Sequence, residues 1–94
     1  MIIVSGKLYL RPGTQQQFLQ SSPQAIKLAR STPSCRDFVV AADPIEPNRV
    51  NVYEEWDSVE ALLAFRSSGP AEDLSAHIMR AEVSRHVVAS SGPA

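Results

Sequence analysis

The sequence predicts an α+β domain of order βαββαβ, built as a four-stranded antiparallel sheet with two helices. Three observations carry this. Four runs are rich in Val, Ile, Tyr and Phe, the composition of strands. Between them lie two segments whose apolar residues recur at helical spacing, each opening on a Thr or Asp followed three residues later by Gln or Glu. Pro, Gly and Ser clusters punctuate the junctions. Strands and helices in this order make the ferredoxin-like sandwich.

The elements follow in order. Ile2 to Leu10 reads as the first strand and stops at the turn signal Pro12-Gly13. Thr14-x-x-Gln17 opens the first helix as a capping box, and Phe18, Leu19, Ala25, Ile26 and Ala29 carry its apolar face to about Ser31. Pro23 interrupts it: either the helix kinks there, or Ser22 caps a second segment with Pro23 in its first turn. Cys35 to Ala42 is the second strand and Arg49 to Trp56 the third, joined by the proline-punctuated loop 43–48. So short a loop favours antiparallel pairing. Asp57-x-x-Glu60 opens the second helix, with Val59, Leu62, Leu63 and Arg66 on one face. Ser67 to Pro70 breaks it, Ala71 to Met79 resumes it with Leu74 and Ile78 on one side, and Glu82 to Ala89 forms the fourth strand. The expected domain is 1–89, followed by a frayed tail, 90–94.

At 94 residues and 44% hydrophobic content the chain makes one domain with a modest core. Its single cysteine, Cys35, allows no internal disulfide and reads better as a small packed residue than as a nucleophile. A net charge of −1 without a basic run argues against nucleic acid. No apolar run approaches the roughly 18 residues of a membrane span, and the apolar start is too short for a signal peptide, so a cytoplasmic location is expected. Helices on one sheet face leave the other bare, and a second copy pairing sheet to sheet would cover it.

The third strand carries the chemistry. Val50, Val52, Glu54 and Trp56 share one face; Asn51, Tyr53 and Glu55 share the other. Trp56 offers a flat wall and one N–H donor to an aromatic ligand, against the plainer role of a core residue. A buried Glu54 is a candidate base with a raised pKa, against a plain salt bridge to Arg. His77, at the edge of an apolar helix face, is a candidate proton carrier or a surface residue. Arg66 binds an anion or pairs with Glu60 or Glu72. His86, in the last strand, suits a partner interface as well as catalysis. No metal-ligand spacing, dinucleotide fingerprint or phosphate loop is present, so neither metal nor cofactor is expected.

Met1-Ile2-Ile3-Val4-x-Gly6 leading to Pro12-Gly13, Phe18, Pro33-x-Cys35, Asp43-Pro44, and Tyr53-Glu54-x-Trp56 with Ala61-Leu62 resemble, in order and spacing, the antibiotic biosynthesis monooxygenase family. The likeness spans Ile2 to about Val88. It implies a homodimeric α+β barrel joined through the sheet faces, with a pocket between helices and sheet in each protomer. It further implies oxidation of a small phenol, anthrone or quinol by O₂ without metal or flavin. Trp56, Glu54 and His77 would then be catalytic, with Tyr53, Phe65, Arg66 and Gly6 on the substrate.

Two departures stand out. Phe65 occupies the place where many members carry a His, and Ser34 replaces the usual Gly before Cys35. A haem-degrading branch uses an Asn and a His at the places held here by Gly6 and Arg66, so haem chemistry is not expected. An isomerase on the same fold and a non-catalytic, ligand-binding dimer are the alternatives.

Overall fold

The computed structural model describes residues 1–68 and 75–94. Strand β1 runs Ile2–Leu10, helix α1 Gln15–Arg30, β2 Cys35–Ala42, β3 Arg49–Trp56, helix α2 Val59–Ser68, a 3₁₀ turn Ser75–His77, and β4 Ile78–Val87. The sheet order is β2-β3-β1-β4, with every pair antiparallel. The first three strands have the bounds their composition dictates.

Helix α1 is one element with Pro23 inside it. Pro23 is on the exposed side, where a carbonyl that loses its helical N–H partner can be met by solvent. Ser22 does not cap a second segment; buried, it donates to the Phe18 carbonyl at 2.8 Å. Neither expected capping box forms. The Thr14 hydroxyl donates to the Arg11 carbonyl at 2.7 Å instead of accepting from the helix. At α2 the cap is Ser58, whose oxygen accepts from the Ala61 N–H at 3.1 Å. Asp57 is drawn off by Arg36, 2.7 Å away.

The second half differs more. The helix expected over Ala71 to Met79 falls partly outside the described residues, Leu74 among them. Where it can be compared it is wrong: Ser75–His77 is a 3₁₀ turn, and Ile78 and Met79 already belong to β4. Ile78 pairs across to Leu10, and β-ladder hydrogen bonds with β1 outweigh the weak local helical pattern.

Two hydrophobic clusters lie between sheet and helices. At one end Ile2, Val4, Ala29, Phe38, Trp56 and Leu62 are buried together. At the other, Leu10, Phe18 and Val50 are. Leu62 fastens α2 to the sheet, and its full burial contributes roughly 1.5–3 kcal/mol. The uncovered sheet face is not the bare apolar surface expected. Ile3, Val39 and Tyr53 alternate there with Lys7, Asn51, Glu55 and Glu82.

Candidate functional site

Registry places Glu54 between Val4 of β1 and Phe38 of β2, on the helix-covered face. Trp56 follows on the same face, between Ile2 and Cys35. Both side chains are buried, Trp56 to 0% exposure and Glu54 to 8%. The Trp56 indole N–H donates to Glu54 Oε1 at 2.8 Å. Trp56 therefore has no donor left for a ligand, contrary to the sequence expectation, because residues two apart on a strand stand side by side and the carboxylate claims the N–H.

Aromatic rings close around the pair. Phe65 of α2 lies 5.2 Å from the Trp56 ring and 5.8 Å from Phe38, which meets Trp56 edge-on at 6.5 Å. Phe38 was not among the sequence candidates, although its place opposite Glu54 follows once β2 and β3 are paired in register. In this apolar shell, burial raises the Glu54 carboxyl above its usual range; the Trp56 hydrogen bond and the Arg66 charge pull it partly back. Among the described residues, Glu54 Oε2 receives no donor, and Arg66 acts on it only through its charge. No salt bridge joins the two.

Phe65, Arg66, Glu54 and Trp56 thus gather at one place. A cleft of ≈ 270 Å³ lies beside them, lined by Thr32, Ser34, Ala61, Ala64, Phe65 and Ser68. It ends on the Phe65 ring and does not reach Glu54.

The remaining candidates lie elsewhere. His77 is in the 3₁₀ turn, its carbonyl accepting from the Arg11 N–H at 2.8 Å, at the far end of β1 from Ile2. Ile2 and Leu10 are eight residues apart, so His77 is roughly 26 Å along the sheet from Trp56 and cannot share a proton with Glu54 in one protomer. Tyr53 points to the opposite sheet face, because strand side chains alternate. There burial and a hydrogen bond to the Glu55 carboxylate raise its phenol pKa.

Gly6 answers to backbone packing. At φ 155°, an added Cβ would fall on the Glu82 carbonyl oxygen and within 2.6 Å of Val83 Cα, so a side chain there would push β4 off β1. The Cys35 thiol donates to the Asp37 carbonyl at 3.3 Å, and burial raises its pKa, which disfavours a thiolate nucleophile. His86 is exposed on β4. Among the described residues no group of three or more His, Cys, Asp or Glu could hold a metal ion, and no helix is long and apolar enough to cross a membrane.

The chain is similar to known proteins along most of its length. A family model, antibiotic biosynthesis monooxygenase, matches residues 1–77. Among solved structures, a Chloroflexus aurantiacus protein assigned as an antibiotic biosynthesis monooxygenase is 27% identical, with a TM-score of 0.77 over 98% of this chain and 96% of its own. A Nitrosomonas europaea protein with the same assignment superposes with a TM-score of 0.82 at 11% identity, covering 96% of this chain and all of its own. A Methanosarcina mazei protein reaches 0.76 at 20% identity, over 90% of this chain and 89% of its own. These last two likenesses establish the fold. No curated protein sequence matches the chain.

Proposed function

The chain belongs to the antibiotic biosynthesis monooxygenase family, and from that premise we propose that it oxidises a small electron-rich aromatic, a phenol, quinol or anthrone, with O₂ and without metal or flavin. The observation that carries this is the Glu54–Trp56 pair: a carboxylate 8% exposed, held at one oxygen by the indole N–H, its other oxygen without a donor among the described residues, its pKa raised. A raised pKa moves a carboxylate toward working pH, where it serves best as a general base. An aromatic bound on the Arg66 side of α2 presents its acidic proton to Oε2. Arg66 holds the anion that forms, and Phe65 supplies an apolar wall.

The anion then passes one electron to O₂, and the radical pair recombines to a hydroperoxide. Loss of water leaves a new C=O: one oxygen atom stays on carbon, and the other departs with two substrate hydrogens. All electrons come from the substrate, so no separate reductant enters. Catalysis here is proton removal and shielding from water, which a buried base in an aromatic shell supplies. A homodimer joined at Ile3, Val39 and Tyr53 belongs to the same proposal.

A second reading, a protein that binds ligands without turnover, draws on the full burial of Trp56 and on a cleft that stops short of Glu54. O₂ uptake by chelator-treated protein, with a panel of hydroquinones and anthrones, separates the two. We expect uptake above the uncatalysed rate that collapses in Glu54→Gln. Uptake equal in both proteins sinks Glu54 as the base, and no uptake on any compound leaves the binding protein.

A further inference from the structure

A depression in the described surface lies away from Glu54. Its volume is ≈ 470 Å³, and Tyr9, Leu10, Pro12, Asn48, Met79 and Arg80 line it. It opens where β1 ends, about 26 Å along the sheet from Trp56. We infer that this depression is a second binding site, which takes a small amphiphilic carboxylate: an apolar aryl or alkyl body carrying one anionic group.

Three features of the chain shape it. The β1–β4 register shifts between Tyr9 and Leu10, Tyr9 facing Arg80 but Leu10 facing Ile78. Met79 is the extra residue of that bulge. Bulges of this kind re-aim side chains, and Met79 is left 62% exposed beside the depression. A thioether this open adapts to an apolar ligand of irregular shape, and Pro12 supplies further apolar surface beside it.

The polar side is equally defined. The Arg80 guanidinium lies 4.3 Å over the Tyr9 ring, and its Nη2 contacts Glu82 Oε2 at 3.3 Å. Its other N–H groups have no partner among the described residues. A guanidinium with free donors can meet a carboxylate with two parallel hydrogen bonds. Across the depression, the half-buried Asn48 side-chain amide also has no hydrogen bond among the described residues, whereas its carbonyl accepts from the Leu10 N–H at 2.8 Å. A second donor on a strand end anchored to the sheet completes a polar edge facing an apolar floor, the usual make-up of a small-ligand site.

The site is independent of Glu54 chemistry, and its test needs no turnover. Amide NMR of the full chain is followed while 1-naphthoate or its neutral counterpart 1-naphthamide is added. Naphthoate should shift the amides of Tyr9, Asn48, Met79 and Arg80, leave the Trp56 indole N–H unmoved, and bind at least tenfold more tightly than naphthamide. Arg80→Gln, at an exposed side chain, should erase that preference without weakening naphthamide. Asn48→Asp, which sets a like charge at the edge, should weaken naphthoate severalfold and serves if Arg80→Gln does not fold. Shifts only around Trp56, no shifts at millimolar ligand, or equal binding of acid and amide would each overturn the proposal.

Discussion

Two carboxylates on one hairpin have opposite fates. Asp43, in the loop that joins β2 to β3, accepts from the backbone N–H of Ile45 at 3.0 Å and of Glu46 at 2.8 Å, and from the Asn51 side chain at 2.9 Å. These donors, the Asn51 amide foremost, with Arg49 3.4 Å away, hold its pKa down to about 2. Glu54, at the other end of the hairpin, has among the described residues a single donor, Trp56, inside an aromatic shell, and burial drives its pKa up. The fold stabilises one anion and disfavours the other. A charge that works for the loop explains itself as structure. A charge that works against folding needs another reason to be there, and catalysis supplies one.

The sharpest way to break this contrast is Glu54→Gln. If Glu54 is the general base proposed above, kcat for O₂ uptake should fall by about 10²–10⁴-fold. Stability should not fall with it. With the folded pKa raised, the native state binds more protons than the unfolded chain between the two pKa values. Stability from this group is therefore full below the unfolded value, roughly pH 4.3, and declines as pH rises through the folded one. A Gln amide oxygen keeps the acceptor for Trp56 and removes the charge. Denaturant melts at pH 7 should show the variant at least as stable as wild type; a marked loss would mean that the ionised carboxylate supports the fold.

Next in size is Leu62→Ala. Leu62 is fully buried in the Trp56 cluster and fastens α2 over it. Its truncation should cost about 2–5 kcal/mol by chemical denaturation. Water entering above the cluster should also bring the Glu54 pKa, followed by ¹³C NMR of its carboxyl, down toward the ordinary value. Asp43, packed against a different part of the hairpin, should titrate unchanged.

How much of this contrast was legible beforehand is uneven. Glu54 and Trp56 on one face, and Tyr53 on the other, follow from the two-residue period of β3 alone. The hydrogen bond between Glu54 and Trp56 does not, since alternation places side chains without fixing what each donates to. The family resemblance drew attention to Phe65 by its place after Trp56, but its packing on the Trp56 and Phe38 rings could not be read from the sequence. The role of Gly6 was not: its need to lack a side chain arises from the β4 backbone, which no local pattern reports. The remoteness of His77 was hidden for a related reason. Helical spacing of Leu74 and Ile78 competes with the pairing of Ile78 to Leu10, a contact between residues far apart in the chain.

Trp56→Phe probes the middle of the contrast, by taking from Glu54 the indole donor while leaving an aromatic ring in the shell. The stranded buried carboxylate should cost about 1–3 kcal/mol. Because the lost hydrogen bond favoured the ionised form, the Glu54 pKa should rise further, and the pH profile of O₂ uptake should move with it to higher pH. A Trp56 that served mainly as substrate wall would instead raise KM and leave the profile in place.

The smallest effect belongs to Asp43→Asn, and its value lies in its sign. With its folded pKa depressed to about 2, Asp43 contributes stability that is complete above its unfolded pKa of roughly 3.9 and is lost as pH falls through the folded value. The Asn variant should therefore melt lower than wild type at pH 6, and the gap should close as both are taken from pH 4 toward 2. Glu54→Gln should show the reverse, gaining on wild type as pH rises above roughly 4.3. Two variants on one hairpin would thus depart from wild type on opposite sides of the pH scale. Parallel curves for both would mean that the hairpin treats its two carboxylates alike, and the case for Glu54 as a functional group would lose its physical basis.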